Sequence, residues 1–98
     1  MIARFATNQT FSLVRIHRCI HITDQGLNYI ASMTSLETLS LRWCPQLHDM
    51  GIQTICNMKN LKYLSLAGCS LVTANGITCL VRLPQLQELE LVSLFFSL

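Results

Sequence analysis

The sequence predicts an α/β repeat protein, a solenoid of short helices and parallel strands, and three observations carry that reading. Cys19, Cys44 and Cys69 stand 25 residues apart, and the apolar residues between them recur at the same places of each unit. Within each unit the apolar spacing changes from helical to alternating. Self-similarity at a period of roughly 20–50 residues marks stacked units, each able to bury its apolar side only against its neighbours.

Aligned on the cysteine, the units read CIHITDQGLNYIASMTSLETLSLRW, CPQLHDMGIQTICNMKNLKYLSLAG and CSLVTANGITCLVRLPQLQELELVS. Three places after each cysteine stand Ile22, Leu47 and Val72. Seven places after it come Gly26, Gly51 and Gly76, followed by Leu27, Ile52 and Ile77. A glycine kept at one register three times marks a backbone that must turn or be closely approached. Ile30, Ile55 and Leu80 follow, then Met33, Met58 and Leu83, so apolar residues fall three apart along one helical face. Thr23, His48 and Thr73 precede this run, with Asp24 and Asp49 beside them in two units, which suits a helix start. One short helix per unit is expected. Beyond it Leu36, Leu61 and Leu86 lead into Leu39-x-Leu41, Leu64-x-Leu66 and Leu89-x-Leu91, and this alternation predicts strands centred near Leu39, Leu64 and Leu89 that end at the next cysteine.

Carried back from Cys19, the register puts Ile16, Val14 and Phe11 at the strand places, with Phe5 and Ile2 at two helix places. A further strand is therefore expected near Val14. The single domain 1–98 divides into a degenerate first repeat (1–18), three cysteine-containing repeats (19–43, 44–68 and 69–93) and an uncapped tail (94–98). Arg4, Asn8, Gln9 and Thr10 interrupt the apolar run that a secretory signal would need.

With 51% hydrophobic and 12% charged residues, the chain is more apolar and less charged than an average domain, as expected of a slice of a longer array. A net charge of +2 without a basic run argues against nucleic-acid or general membrane binding. The longest apolar stretch, Leu89 to Leu98, is broken by Glu90, Ser93 and Ser97. It is too short for a membrane helix, which takes about 20 apolar residues.

The register places Cys19, Cys44 and Cys69 in one core-side column, where a free cysteine acts as a small hydrophobe. Disulfides are the weaker alternative, because five cysteines leave one unpaired and nothing indicates secretion. Cys56 and Cys79 lie on the helices at different registers and have no assigned role. Metal is not expected: His17, Cys19 and His21 alternate, but Cys-x-x-Cys spacing is absent. No cofactor is indicated. The competing class is a thiol or zinc hydrolase using Cys19 with His17 or His21, which needs an accessible, activated sulfur beside a base. A buried column offers neither, so the chain is not expected to be an enzyme.

The block CIHITDQGLNYIASMTSLETLSLRWC resembles the cysteine-containing leucine-rich repeat, through Ile22, Thr23, Asp24, Gly26 and Leu27 above all. The resemblance extends from about Phe11 to Ser93. Such repeats are characteristic of F-box/leucine-rich-repeat proteins, and LRWCPQLHDMGI and LSLAGCSLVTANGI look most like their C-terminal repeats. The resemblance implies a leucine-rich-repeat solenoid, a segment of a ribonuclease-inhibitor-like horseshoe with parallel strands on the concave face and helices on the convex face. It further implies a substrate-recognition role in a cullin-type ubiquitin ligase and an intracellular place, cytoplasmic or nuclear. Two departures stand out. The residues before Phe11 are too few for an F-box, so a ligase adaptor is expected as partner only if a lost F-box is restored. At the other end Leu94 occupies the fourth cysteine place and LVSLFFSL gives neither helix nor polar cap. A fragment or truncated member is the expectation, with an F-box-less scaffold or decoy as the alternative function.

If Leu39 and Leu41 point into the core, Thr38, Ser40 and Arg42 face the other way. The same register exposes Leu13, Arg15 and His17, then Tyr63, Ser65 and Ala67, then Glu88, Glu90 and Val92. Arg15, His17, Arg18 and Arg42 cluster at the first two strands with Trp43 following, while Glu88 and Glu90 close the far end. Partner binding is therefore expected at Arg15, His17, Arg42, Trp43, Tyr63, Glu88 and Glu90, with an acidic protein segment as the expected guest. Arginine and aromatic residues dominate binding hot spots; alternatively the charges solvate the face and Trp43 folds over a strand end. His48 reads as a surface or capping residue, and His21 has no assigned role.

Overall fold

The computed structural model describes residues 12–91. Expectations at Ile2, Phe5, Phe11, Val92, Ser93 and the tail 94–98 lie outside that range. In chain order the elements are β1 (Leu13–Arg15), α1 (Asp24–Ala31), β2 (Thr38–Ser40), α2 (Asp49–Ile55), β3 (Tyr63–Ser65), α3 (Ala74–Ile77) with a 3-10 turn at Thr78–Arg82, and β4 (Glu88–Glu90). The strands form one parallel sheet in the order β1-β2-β3-β4. Val14 pairs with Leu39, Leu39 with Leu64 and Leu64 with Leu89, so the expected strand centres share one row.

The strands are shorter than the alternation predicts, three residues each, but ladder bonding continues beyond them. Leu41 N–H donates to Ser65 O and Trp43 N–H to Ala67 O, each at 2.8 Å, and Arg18 N–H donates to Arg42 O at 2.9 Å. Bonding thus persists to Arg18 and Trp43, the residues before the first two cysteines, and both, like Gly68 before the third, adopt a left-handed backbone.

The core lies between sheet and helices. Leu27, Leu36, Leu39, Leu41, Leu47, Ile52, Ile55, Met58, Leu61, Leu64, Leu66 and Leu80 are fully buried. The middle unit has neighbours on both sides and buries all its apolar register positions, whereas Ile22, Ile77, Leu86, Leu89 and Leu91 in the flanking units are partly buried. Cys44 and Cys69 are buried and Cys19 partly buried against the same core, all three free. Each buried thiol donates to a carbonyl one strand back: Cys69 to Leu41 O at 2.8 Å and Cys44 to Ile16 O at 3.4 Å.

The aspartates act on the next unit as well as at their own helix start. Asp24 Oδ1 accepts from the His48 backbone N–H at 2.9 Å, and Asp49 Oδ1 from that of Thr73 at 2.7 Å; Asp49 Oδ2 also accepts from the Thr73 hydroxyl. Gly51 and Gly76 lie beneath these carboxylates, and a Cβ at either would overlap the aspartate of the preceding unit. This close approach explains the glycine at 51 and 76; at Gly26 a Cβ would meet Ile22 Cγ1 at 3.3 Å.

The third unit departs from the expected single helix. α3 has four residues and tightens into the 3-10 turn. Thr78 is a poor helix former, and its hydroxyl donates to Asn75 O at 2.6 Å, the local back-bonding that competes with regular helix.

Cys56 and Cys79, to which the repeat register assigns no role, form a disulfide, with Cα atoms 6.2 Å apart. Stacking brings the end of α2 against the 3-10 turn of the next unit, so residues at different registers meet. The bond staples the least regular helix to the best-buried one.

Leu64→Ala should destabilise the fold by about 2–5 kcal/mol, the usual cost of emptying a leucine-sized core site, as measured by urea unfolding of the oxidised chain. Reducing the disulfide, or replacing both cysteines by serine, should cost about 2–4 kcal/mol. Hydrogen exchange should then accelerate most in α3 and the 3-10 turn; uniform acceleration would show that the bond does not act locally.

Candidate functional site

The open face of the sheet, opposite the helices, carries three rows of side chains set by the strand register. Leu13, Thr38, Tyr63 and Glu88 form one, and Arg15, Ser40, Ser65 and Glu90 the next. His17, Arg42 and Ala67 follow where ladder bonding continues past the strands. Arg15, His17, Arg42 and Tyr63 line one groove of about 520 Å3 together with Leu13 and Ser40. A second hollow, about 360 Å3, is lined by Tyr63, Glu88 and Glu90 with Leu89 and Leu91. Tyr63 belongs to both. Trp43 lies apart, in a groove along the strand ends.

Alternation alone places Ser40 and Ser65 on an exposed surface, and the structure corrects this. Both are buried, because longer neighbours lie across them. His17 Nε2 sits 2.8 Å from Ser40 Oγ, and the Ser65 hydroxyl donates to Glu90 Oε1 at 2.5 Å. Small residues on a short parallel sheet become the floor of a groove whose walls are the long side chains beside them.

The basic and acidic ends of the face are not independent, because one ion pair bridges them. Arg42 Nε lies 3.8 Å from Glu90 Oε1, although β2 and β4 flank β3 on opposite sides. Strand spacing is about 5 Å, so two extended side chains can meet over the intervening strand. The Tyr63 hydroxyl donates to the same oxygen at 3.4 Å. The Ser65 hydrogen bond first, then the Arg42 charge and the Tyr63 hydroxyl, hold the Glu90 carboxyl below its ordinary range; partial withdrawal from water opposes them. Glu88 is exposed. No carboxylate lies within ion-pair distance of Arg15 or Arg18 among the described residues.

Burial raises the Cys44 thiol and pushes that of Cys69 to about 11, so both stay protonated at neutral pH and are poor nucleophiles. His17 is engaged with Ser40 on the sheet face. His48 sits at the start of α2, its Nδ1 3.6 Å from Asp24 Oδ2. Among the described residues no group of His, Cys, Asp or Glu gathers as metal ligands, and no helix is long and apolar enough to cross a membrane.

Sequence reasoning missed Ile20, Pro45, Gly68 and Ser70, which surround Trp43. The available signal was Gly68: a glycine before the third cysteine points to a left-handed backbone, and the register transfers that conformation to Arg18 and Trp43. Trp43 does fold over a strand end, its indole so close to Gly68 that a Cβ there would overlap the ring. It remains half exposed.

Residues 32–56 and 57–81 each match the family model described as Leucine Rich repeat, together half of the chain. No curated protein matches the chain.

The Glu90 environment fixes a pH dependence. A carboxyl whose folded pKa is depressed adds stability above its unfolded pKa and loses that contribution as pH falls through the folded value. Acid titration should therefore lower the unfolding midpoint of the native chain more than that of Glu90→Gln. Parallel curves would mean that the Ser65 and Arg42 contacts do not act on Glu90 in solution.

Proposed function

The chain belongs to the leucine-rich-repeat family, and from that premise we propose that it is a non-catalytic protein-recognition module whose partner docks on the open face of the sheet. The observation that carries this is the groove lined by Arg15, His17, Arg42 and Tyr63. Its floor consists of buried serines on a continuous parallel ladder, and Arg15 stands on its rim with no carboxylate paired to it among the described residues. The guest is an acidic protein segment, which Arg15 attracts directly and Arg42 receives at the cost of loosening its hold on Glu90. In this reading the sheet face is the concave side of a horseshoe.

The repeat pattern supports a finer assignment, an intracellular substrate receptor of F-box/leucine-rich-repeat type serving a cullin-type ubiquitin ligase in the cytoplasm or nucleus. A scaffold or decoy that binds the same partner without delivering it is the alternative. Coprecipitation with the ligase's adaptor separates them, because a receptor carries the adaptor and a decoy does not. In a reducing compartment Cys56 and Cys79 would be held as thiols unless an oxidant closes the bond.

Peptides selected from a random display library on the immobilised chain should be acidic. Their association should slow with added salt, since charge governs encounter rate. Arg15→Glu should reduce binding at least tenfold, while Lys59→Ala on the helix side should leave it unchanged. Binding that survives Arg15→Glu and fails on Lys59→Ala would overturn the sheet-face reading.

A further inference from the structure

The residues on either side of each cysteine form two adjacent columns, Arg18, Trp43 and Gly68 before it and Ile20, Pro45 and Ser70 after it. These six line a groove of about 460 Å3 along the strand ends. Its two largest apolar side chains turn outward, Ile20 57% and Trp43 50% exposed. Arg18 and Trp43 hold φ of 57° and 59°, a left-handed backbone that is unfavourable for a non-glycine residue. Bulky residues in that region point from an observed outlier to a role. Gly68 takes the same conformation at φ 78°, and its missing Cβ lets the Trp43 ring lie against the next unit. Among the described residues Arg18 is the only charged side chain lining the groove.

This groove and the basic groove on the sheet adjoin, because Arg18 follows His17 and Trp43 follows Arg42. We infer that a single partner segment occupies both, its carboxylates along Arg15, His17 and Arg18 and a bulky apolar side chain bedded between Ile20 and Trp43. The inference rests on the proposed sheet-face reading and adds the second determinant to it. Charge complementarity selects this guest: the basic side chains stand at the strand ends, among the described residues Arg15 and Arg18 have no carboxylate within ion-pair distance while Arg42 has Glu90, and the apolar groove opens at the same edge. Charge supplies encounter and orientation, while an aromatic contact supplies buried area.

Trp43 is the single tryptophan of the chain, so its emission reports on the groove. The probes are two synthetic peptides sharing an acidic stretch, Asp-Glu-Asp-Glu-Gly-Phe and Asp-Glu-Asp-Glu-Gly-Ser. The phenylalanine peptide should shift Trp43 emission to the blue and bind at least tenfold more tightly than the serine peptide. Followed by anisotropy of labelled peptide, Trp43→Ala should erase that preference, and so should Ile20→Ser, a change at an exposed position that does not disturb the core. Lys59→Ala should preserve it. Equal binding of both peptides, lost on Arg15→Glu, would overturn this inference and leave the sheet-face reading standing. Binding by neither would overturn both. A blue shift that grows with protein concentration alone, with a dimer by light scattering, would assign the groove to a second copy and overturn the partner assignment.

Discussion

Parallel pairing at a constant 25-residue offset is the constraint on which the rest of the molecule depends. It sets Val14, Leu39, Leu64 and Leu89 in one row, and every other repeated contact inherits that spacing. The thiols of Cys44 and Cys69 meet carbonyls of equivalent residues, Ile16 and Leu41. Asp24 and Asp49 meet the backbone at equivalent helix starts, over equivalent glycines. A slip of one residue would turn the strand leucines outward and the groove residues into the core. It would also misalign the carboxylates with their backbone donors, so core and polar contacts enforce one register together.

Such a stack distributes stability unevenly, as expected when each unit rests only on its neighbours. The helix position that follows the repeated glycine illustrates this: Ile52 is fully buried, while Ile77 in the third unit is only partly covered. Ala74 replaces the aspartate of the earlier units, α3 is cut to one turn, and the Cys56–Cys79 bond joins the 3-10 turn that follows it to the end of α2. The covalent link therefore falls where the non-covalent repeat is least regular.

The core was legible because it depends on period alone. Leucine, isoleucine and methionine positions repeat, and repeating positions in a stack must face the same way. Reach across strands was not legible. Ser40 and Ser65 are buried through the length of His17 and Glu90, and Arg42 finds Glu90 over an intervening strand; alternation fixes the direction of a side chain but says nothing about what lies over it. The disulfide was missed for a related reason, since Cys56 and Cys79 differ in register and meet only because a helix end in one unit lies beside a turn in the next. Trp43 was legible as a choice between an interface residue and a strand-end cover. Its contact with Gly68 gives it the second role while half its surface stays open.

A repeated chain can be compared with itself, and the comparison separates framework from surface. Core columns hold near-identical residues, such as Leu39, Leu64 and Leu89. The columns of the open face do not: Arg15, Ser40, Ser65 and Glu90 share one register, and Arg18, Trp43 and Gly68 another. Stacking requires no such variety there, since three left-handed positions could all be glycine at lower backbone cost. What the variety creates is a surface with direction, basic at β1 and acidic at β4, with an aromatic at its edge. Because Glu90 engages Arg42, the open basic charge of this face is concentrated at Arg15 and Arg18, beside the groove that holds Trp43. The basic side chains without a carboxylate partner among the described residues thus lie at one corner of the stack, above core columns that keep the repeat.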